Sequence, residues 1–250
     1  MAKKKVERVV EPQAILGPKD ETVKKMFEKG LHWGHRSSRW HPKIKPYLYG
    51  VHRNVHVFDL NKTYDCFENA LEYLQDAGSK GKVILLIGTR GSEKELVKQL
   101  AQELNLPAVW EGWAGGTLTN FKEILKRIKY FRELEAKVES GGLEKYTKKE
   151  RHEFHKEYSR MAKKWEGIKN LTELPDVLFL TNIKENALAL KEARVCRIPV
   201  VAVTDTNADP TLVDFPIPAN DDAITSVSYI LEKVKEAILT GRTKRPTTNQ

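Results

Sequence analysis

The sequence predicts an α/β fold built on a mostly parallel sheet, interrupted by a pair of long antiparallel helices. Short apolar runs at 82–87, 176–181 and 199–203 are typical of strands buried on both faces of a parallel sheet. Segments of helical periodicity separate these runs, as in βαβ units. Between 118 and 170 the alternation stops, and apolar residues recur in steps of three or four.

The first half of the chain begins with a predicted helix at 20–29, which Gly30 caps. Residues 30–50 are predicted to be an extended loop, because Pro42 and Pro46 fix φ and discourage a helix. Ser92, with Glu95 three positions on, predicts a capping box. The remaining elements are a strand at 54–60, a helix at 62–77 ended by Gly78, the strand at 82–87, a helix from Ser92 to Leu104 and a strand at 107–110.

The second half begins with the helical pair, which is predicted to pack along one apolar seam as an antiparallel coiled coil. Gly141 and Gly142 break the pair, and Thr147 with Glu150 predicts a second capping box. Residues 118–170 contain 15 Lys or Arg but only nine Asp or Glu, so this part of the chain is basic. The later elements are a strand at 176–181, a helix at 184–195, strands at 199–203 and 213–217, and a helix capped by Asn220 that runs to Leu239.

The predicted organisation is one α/β domain with an insertion and two polar tails. Its parts are a flexible N-terminal tail at 1–19, the α/β domain at 20–117 and 172–240, the hairpin at 118–171 and a flexible C-terminal tail at 241–250. No apolar run approaches the length that spans a bilayer, and the N-terminal lysines precede no signal-peptide core. Cys66 and Cys196 form no CxxC pattern, which indicates free thiols in a reducing cytoplasm.

The stretch at 30–50, here called the basic-aromatic segment, has the sequence GLHWGHRSSRWHPKIKPYLYG. It contains four Lys or Arg and four Trp or Tyr but no acid, and the acid-free window from 29 to 58 holds five of the seven histidines. The net charge of +9 favours a polyanionic partner. Cations neutralise phosphates and flat rings stack on unpaired bases, so the segment predicts RNA contact. The alternative is a buried aromatic loop with a solvated basic rim.

Three other patterns are candidate sites. The GTRGS turn at 88–92 is neither a GxGxxG motif nor a P-loop, so a nucleotide, an RNA phosphate and a plain turn stay open there. His32 and His35 have the spacing of a pair of metal ligands, which Asp205 or Asp209 would complete if the fold brings one of them near. No metal or other cofactor is predicted. Asp205 lacks a nearby nucleophile, so no catalytic residue is predicted. A nucleotide-dependent enzyme and a purely protein-binding scaffold are the rival functions.

Several blocks, in order along the chain, resemble the ribosomal protein S-two family. The resemblance covers about Val23 to Leu239. The blocks are GHR at 34–36, RW at 39–40, PKxKPY at 42–47, HVFDLxKT at 56–63, GT at 88–89, GGTLTN at 115–120, PD at 175–176, IPVVAVxDTNxDP at 198–210 and PxNDDAI at 218–224.

The resemblance implies a Rossmann-like, flavodoxin-like sheet carrying a coiled-coil hairpin of the bacterial and organellar type. It implies a structural constituent of the small ribosomal subunit that binds rRNA near the head–body junction and helps hold ribosomal protein S-one, with no membrane and no small-molecule substrate. The missing transit sequence favours a bacterial source. The expected RNA-binding residues are Arg36, Arg39, Trp40, Lys43, Lys45, Lys62 and Arg90, and the expected hairpin contacts are Lys122, Lys126, Lys129, Lys148 and Lys149.

Overall fold

The computed structural model describes residues 21–244, so the predicted N-terminal tail and residues 245–250 lie outside the described part of the chain. Its helices are α1 (Glu21–Glu28), α2 (Leu60–Ser79), α3 (Lys94–Leu104), α4 (Phe121–Glu139), α5 (Lys148–Trp165), α6 (Ala187–Cys196) and α7 (Ile224–Thr243). Its strands are β1 (Trp33–Arg36), β2 (Leu48–His52), β3 (Val55–Phe58), β4 (Ile84–Ile87), β5 (Ala108–Val109), β6 (Val177–Leu180), β7 (Val200–Thr204) and β8 (Phe215–Pro218).

Five of the strands form the predicted parallel sheet, in the order β5-β4-β6-β7-β8. Leu86 pairs with Ala108 and Val203 with Ile217, both in parallel register. Every residue of β4, β6 and β7 is buried. The α/β class and the parallel sheet flanked by helices are therefore confirmed, because uninterrupted apolar runs mark strands that are covered on both faces.

The remaining three strands form a small antiparallel sheet of order β1-β3-β2. Trp33 pairs with Val57 and Val51 with His56. The expectation of an extended loop over 30–50 is therefore wrong, since β1, β2 and a 3₁₀ helix at Pro42–Tyr47 lie there. Pro42 is tolerated because it lies in the first turn of this helix, where its missing N–H would have no partner in any case.

Three predicted helix boundaries also differ from the structure. The helix α3 begins at Lys94, after Glu93, instead of at Ser92. The helix α7 begins after Ala223 and ends at Thr243, and Asn220 instead accepts hydrogen bonds from the amides of Asp222 and Ala223 in the preceding turn. Gly78 lies inside α2, because a local glycine signal gives way to packing between helices.

The chain divides into two compact units, the first comprising the described residues up to Lys82 together with 179–185 and those from Val200 onward. In this unit α2 packs closely on α7. A Cβ on Gly241 would collide with the carbonyl oxygen of Gln75, so only glycine permits this approach of the two backbones. Tyr73 stacks on Phe215 at 4.1 Å, and the Thr63 hydroxyl donates to the Pro218 carbonyl at 2.7 Å. Helix and strand are thereby fixed to each other.

The second unit comprises residues 83–178 and 186–199. Its helices α4 and α5 pack through Phe131 and Tyr158, whose rings stack at 5.7 Å. The predicted capping box is confirmed, because the Thr147 hydroxyl accepts from the Glu150 amide while the Glu150 carboxylate accepts from the Thr147 amide. The glycine-rich turn at 112–117 leads into this helical pair.

A buried carboxylate holds that turn. Glu192 of α6 is 6% exposed and accepts hydrogen bonds from the Trp113 indole and from the amides of Gly116, Leu118 and Thr119, at 2.8 to 3.3 Å. Burial raises the pKa of Glu192, but these hydrogen bonds outweigh it, and the pKa lies below its ordinary value. A charged acceptor therefore satisfies amides that would otherwise be buried without partners.

We predict that Glu192→Gln lowers the free energy of unfolding by about 2 kcal/mol. One oxygen of Glu192 accepts from Trp113 and Gly116 and the other from Leu118 and Thr119, so either orientation of the amide turns a donor toward donors. Urea unfolding measures the loss. The matched control is Glu95→Gln at an exposed position of α3, and equal stabilities of the two variants would contradict the prediction.

Candidate nucleic-acid interface

The basic-aromatic segment presents its cations and rings on a folded support. Arg36 ends β1, Arg39 and Trp40 lie in the turn that follows, and Lys43 and Lys45 lie in the 3₁₀ helix. All five side chains are exposed, Trp40 at 38%. The exposed rings of Trp33 and Tyr49 belong to the same small sheet. The surface thus combines charge for phosphates with faces for bases.

The segment is held by the loop at 205–211, which follows β7. The His35 amide donates to the Thr206 hydroxyl at 2.8 Å, and the His41 amide donates to the Thr206 carbonyl at 2.7 Å. A Cβ on Gly34 would collide with the Thr206 side chain. One threonine therefore fixes both β1 and the start of the 3₁₀ helix, and a glycine beside it makes room.

An ion pair holds the 3₁₀ helix to the same loop. Lys43 Nζ lies 2.8 Å from Asp209 Oδ2 and 3.0 Å from the Thr211 hydroxyl. Burial alone would raise the pKa of Asp209, but the hydrogen bonds from Lys43 and Thr211 lower it to about 2. The carboxylate is therefore charged throughout the neutral and mildly acidic range, and part of the charge of Lys43 is already balanced within the protein.

His35 lies at the centre of the contact between the basic-aromatic segment and the loop at 205–211. Its Nδ1 lies 3.1 Å from Asp205 Oδ1, and its Nε2 lies 2.9 Å from Asn207 Nδ2 and 3.5 Å from Asp222 Oδ2. The Asp205 carboxylate beside Nδ1 raises the pKa of His35, burial opposes this, and the charges of Asp222 and Asp221 add to the rise. The acid-free window of the sequence is thus not free of acids in space, because its partners come from more than 160 residues away.

His32 and His56 are internal side chains. His32, 4% exposed, stacks on Phe27 at 4.2 Å, and His56 lies under Trp40 at 5.0 Å. Burial lowers the pKa of His32 to about 4 and also lowers the pKa of His56. Of the two histidines with metal-like spacing, His35 meets Asp205, whereas His32 packs on an aromatic ring. Asp209 forms its ion pair with Lys43.

Two other expected RNA-binding cations have contacts within the protein. Lys62, in the first turn of α2, donates to the Pro46 carbonyl at 2.6 Å. Arg90 is half-buried in the turn after β4, where its carbonyl accepts from the Glu93 and Lys94 amides. The neighbouring Thr89 hydroxyl donates to Asn186 at 3.0 Å. These hydrogen bonds hold the turn at 88–92 to the start of α3 and to Asn186.

The hairpin cations are solvent-facing, and a groove lies between the start of α4 and the end of α5. Lys122, Lys126, Lys129, Lys148 and Lys149 are all exposed, with Lys126 paired to Glu123 at 2.7 Å. The groove, of about 660 Å³, is lined by Trp113, Trp165 and the cations Arg127, Arg160 and Lys164. Sequence reasoning did not single out these three cations, although Arg160 and Lys164 are one helical turn apart on the same face.

Comparison with known proteins identifies the family of this chain. A sequence model of the family "Ribosomal protein S2" matches residues 26–241. A "Small ribosomal subunit protein uS2" of Coprothermobacter proteolyticus is 42% identical over 90% of this chain and 84% of its own length. Proteins of the same name from Helicobacter hepaticus and Wolinella succinogenes are 40% and 41% identical, over 89% and 88% of this chain and 84% and 82% of their own lengths.

The chain is thus a structural ribosomal protein and not an enzyme. It belongs to the ribosomal protein S2 family, which the ordered blocks in the sequence had indicated. Proteins of this family are cytoplasmic in bacteria and associate with small-subunit rRNA and other ribosomal proteins. Among residues 21–244, no helix is long and apolar enough to cross a membrane.

We predict that Gly34→Ala lowers the free energy of unfolding by about 1 to 3 kcal/mol, because the new methyl group meets the Thr206 methyl group. Thr206→Ser removes that methyl group and keeps the hydroxyl that accepts from His35. The double variant should therefore regain about 1 kcal/mol relative to additivity. Denaturant unfolding of the four proteins in this cycle measures the coupling, and strictly additive losses would refute the proposed contact.

A second prediction concerns acid stability. Because the folded pKa of His32 is about 4, its unfolded form takes up a proton first, and stability falls as pH drops from about 6.5 toward 4. His32→Phe keeps a flat ring against Phe27 without this titration. The variant should gain about 2 kcal/mol relative to the native chain between pH 7 and pH 5.

Unfolding free energies at the two pH values test this, and groups common to both proteins cancel in the difference. His152→Phe, on the exposed face of α5, is the control and should show no such gain. A difference between His32→Phe and the native chain that does not change with pH would show that His32 is not buried in its neutral form.

Proposed function

We propose that the chain binds small-subunit rRNA through the exposed face of the basic-aromatic segment. The observation that carries the proposal is the exposure of Arg36, Arg39 and Lys45 beside Trp40 on a segment docked at Thr206. Arginine forks contact phosphates in a defined geometry, and indole faces stack on unpaired bases. The combination suits a structured RNA better than a small ligand.

Docking of the segment favours tight binding. The Thr206 hydrogen bonds and the Lys43–Asp209 ion pair fix the backbone before RNA arrives, so less conformational entropy is lost on binding. We assign Arg36, Arg39, Trp40 and Lys45 to direct contact. Lys43 and Lys62 remain in the proposed set, with part of their hydrogen-bonding capacity used inside the protein. Arg90 and the five hairpin lysines are further proposed phosphate contacts.

The finer assignments follow from the resemblance of the ordered sequence blocks. We place the chain near the head–body junction and give it a role in holding ribosomal protein S-one. The hairpin at 118–171 is proposed to be a coiled-coil insertion between the two parts of the α/β domain, 20–117 and 172–240, and the stacked pair of Phe131 and Tyr158 supports a packed seam. Small subunits lacking the chain should lose S-one in a gradient and regain it when the chain is added back.

We predict that Arg39→Ala weakens binding of the full chain to small-subunit rRNA by about fivefold at fixed salt. The log–log salt dependence should become shallower by about 0.7 to 0.9, because one phosphate contact is lost. Filter binding over a salt series gives both values. The control is Arg194→Ala, which removes an exposed arginine of α6.

Equal losses in the two arginine variants would mean that net charge alone, and not this surface, drives binding. Affinity that stays flat between low and moderate salt would remove phosphate recognition altogether. Circular dichroism of both variants establishes that the fold is retained, which is expected because neither side chain is buried.

A further inference from the structure

The groove between the start of α4 and the end of α5 lies wholly within the second compact unit. Its volume is about 660 Å³, which is within the range of clefts that bind small molecules. The side chains that line it come mainly from α4, from α5 and from the glycine-rich turn at 112–117. The groove therefore has the size of a site for one ligand group.

Two rows of side chains form the walls of this groove. Arg127 and Tyr130, three positions apart, belong to the row on α4, and Glu157, Arg160 and Lys164 belong to the row on α5. The Tyr130 hydroxyl donates to Glu157 Oε2 at 3.3 Å and joins the two rows. Because a helix rises about 1.5 Å per residue, the wall from Glu157 to Lys164 spans about 10 Å. A wall of this length accommodates a single nucleotide.

Aromatic rings supply flat faces in the groove. The Trp113 indole is fixed, because its nitrogen donates to the buried carboxylate of Glu192 at 3.0 Å. Trp165, which is 4% exposed, forms part of the wall. Tyr130 is 42% exposed, whereas the next residue, Phe131, is fully buried. An exposed ring beside cations is the arrangement on which unpaired bases stack.

The charges in the groove favour an anionic ligand. The acids Glu123 and Glu157 each lie within 4.0 Å of a cation three positions further along the same helix. Arg127 and Lys164 are exposed, and within residues 21–244 neither side chain forms an ion pair or a hydrogen bond. Phosphate oxygens accept well from arginine and lysine.

The rings distinguish between two anionic ligands that the cations alone would accept. The carboxylates of an acidic peptide would neutralise Arg127 and Lys164 but would leave the exposed ring of Tyr130 without a stacking partner. An unpaired nucleotide carries both a phosphate and a flat base, so it satisfies the cations and the ring together.

We propose that this groove binds one unpaired nucleotide of small-subunit rRNA, with its base on the Tyr130 ring and its phosphate held by Arg127 and Lys164. The inference rests on the proposed function and adds a second binding surface to it. The basic-aromatic segment belongs to the first compact unit and the groove to the second, so separate variants test the two surfaces.

Filter binding of the full chain to small-subunit rRNA tests the stacking contact. Tyr130→Leu should weaken binding by at least about fivefold, because a base loses its aromatic platform. Tyr130→Phe keeps the ring, removes only the hydroxyl that donates to Glu157, and should bind within about twofold of the native chain. Native affinity in Tyr130→Leu, or equal losses in the two variants, would overturn the proposal.

The same assay tests the phosphate contact. Arg127→Gln should weaken binding about three- to fivefold and make the log–log salt dependence shallower by about 0.7 to 0.9. Arg132→Gln, at an exposed position of α4 that does not line this groove, is the matched control and should bind like the native chain. Equal losses in these two variants would show that charge on α4, and not the groove, contributes to binding, and would overturn the proposal.

Comparison with Arg39→Ala separates failure of this site from failure of the proposed function. If Arg39→Ala weakens binding while Tyr130→Leu and Arg127→Gln leave it unchanged, the groove assignment is wrong and rRNA binding by the basic-aromatic segment stands. If none of the three variants changes the affinity, both proposals are wrong. Circular dichroism of each variant establishes that the fold is retained, which is expected because Arg39, Arg127 and Tyr130 are exposed.

Discussion

The basic surface of this protein depends on its attachment to the loop after β7. The Thr206 hydroxyl accepts a hydrogen bond from one amide of the segment and its carbonyl accepts from another, and Lys43 forms an ion pair with Asp209, three residues after Thr206. No acid within the segment balances its cations. The carboxylate of Asp209 and the acceptor groups of Thr206, which hold the segment in a defined shape, come from the loop after β7.

The second compact unit also contains a loop that an acidic side chain holds in place. There a single buried carboxylate, Glu192, gathers the amides of the glycine-rich turn that leads into α4. In both units an acidic side chain holds in place a segment that is close in space but distant along the chain. Buried amides need acceptors, and a charged acceptor satisfies several at once.

The sequence predicted the fold class and the order of the elements because strands covered on both faces and amphipathic helices leave strong periodic signals. The family followed from the ordered blocks. The sequence did not predict the small antiparallel sheet, because its strands are short and prolines obscure their boundaries. It named Asp205 and Asp209 as acids that could approach the two histidines, and of these Asp205 lies beside His35. It did not name Asp222, since contacts between residues so far apart in the chain leave no local signal. The role of Glu192 was invisible for the same reason, as its partners lie 73 to 79 positions away.

The separation of 171 residues between His35 and Thr206 has a consequence for synthesis of the chain. When residues 30–50 leave the exit tunnel, the loop that will hold them has not yet been translated. At about 5 to 20 residues per second, the interval lasts on the order of ten to thirty seconds. During this interval the basic-aromatic segment of the nascent chain is not yet attached to its loop and lies near the RNA of the translating ribosome. Chaperones or transient electrostatic contacts then have to keep the segment from binding that RNA.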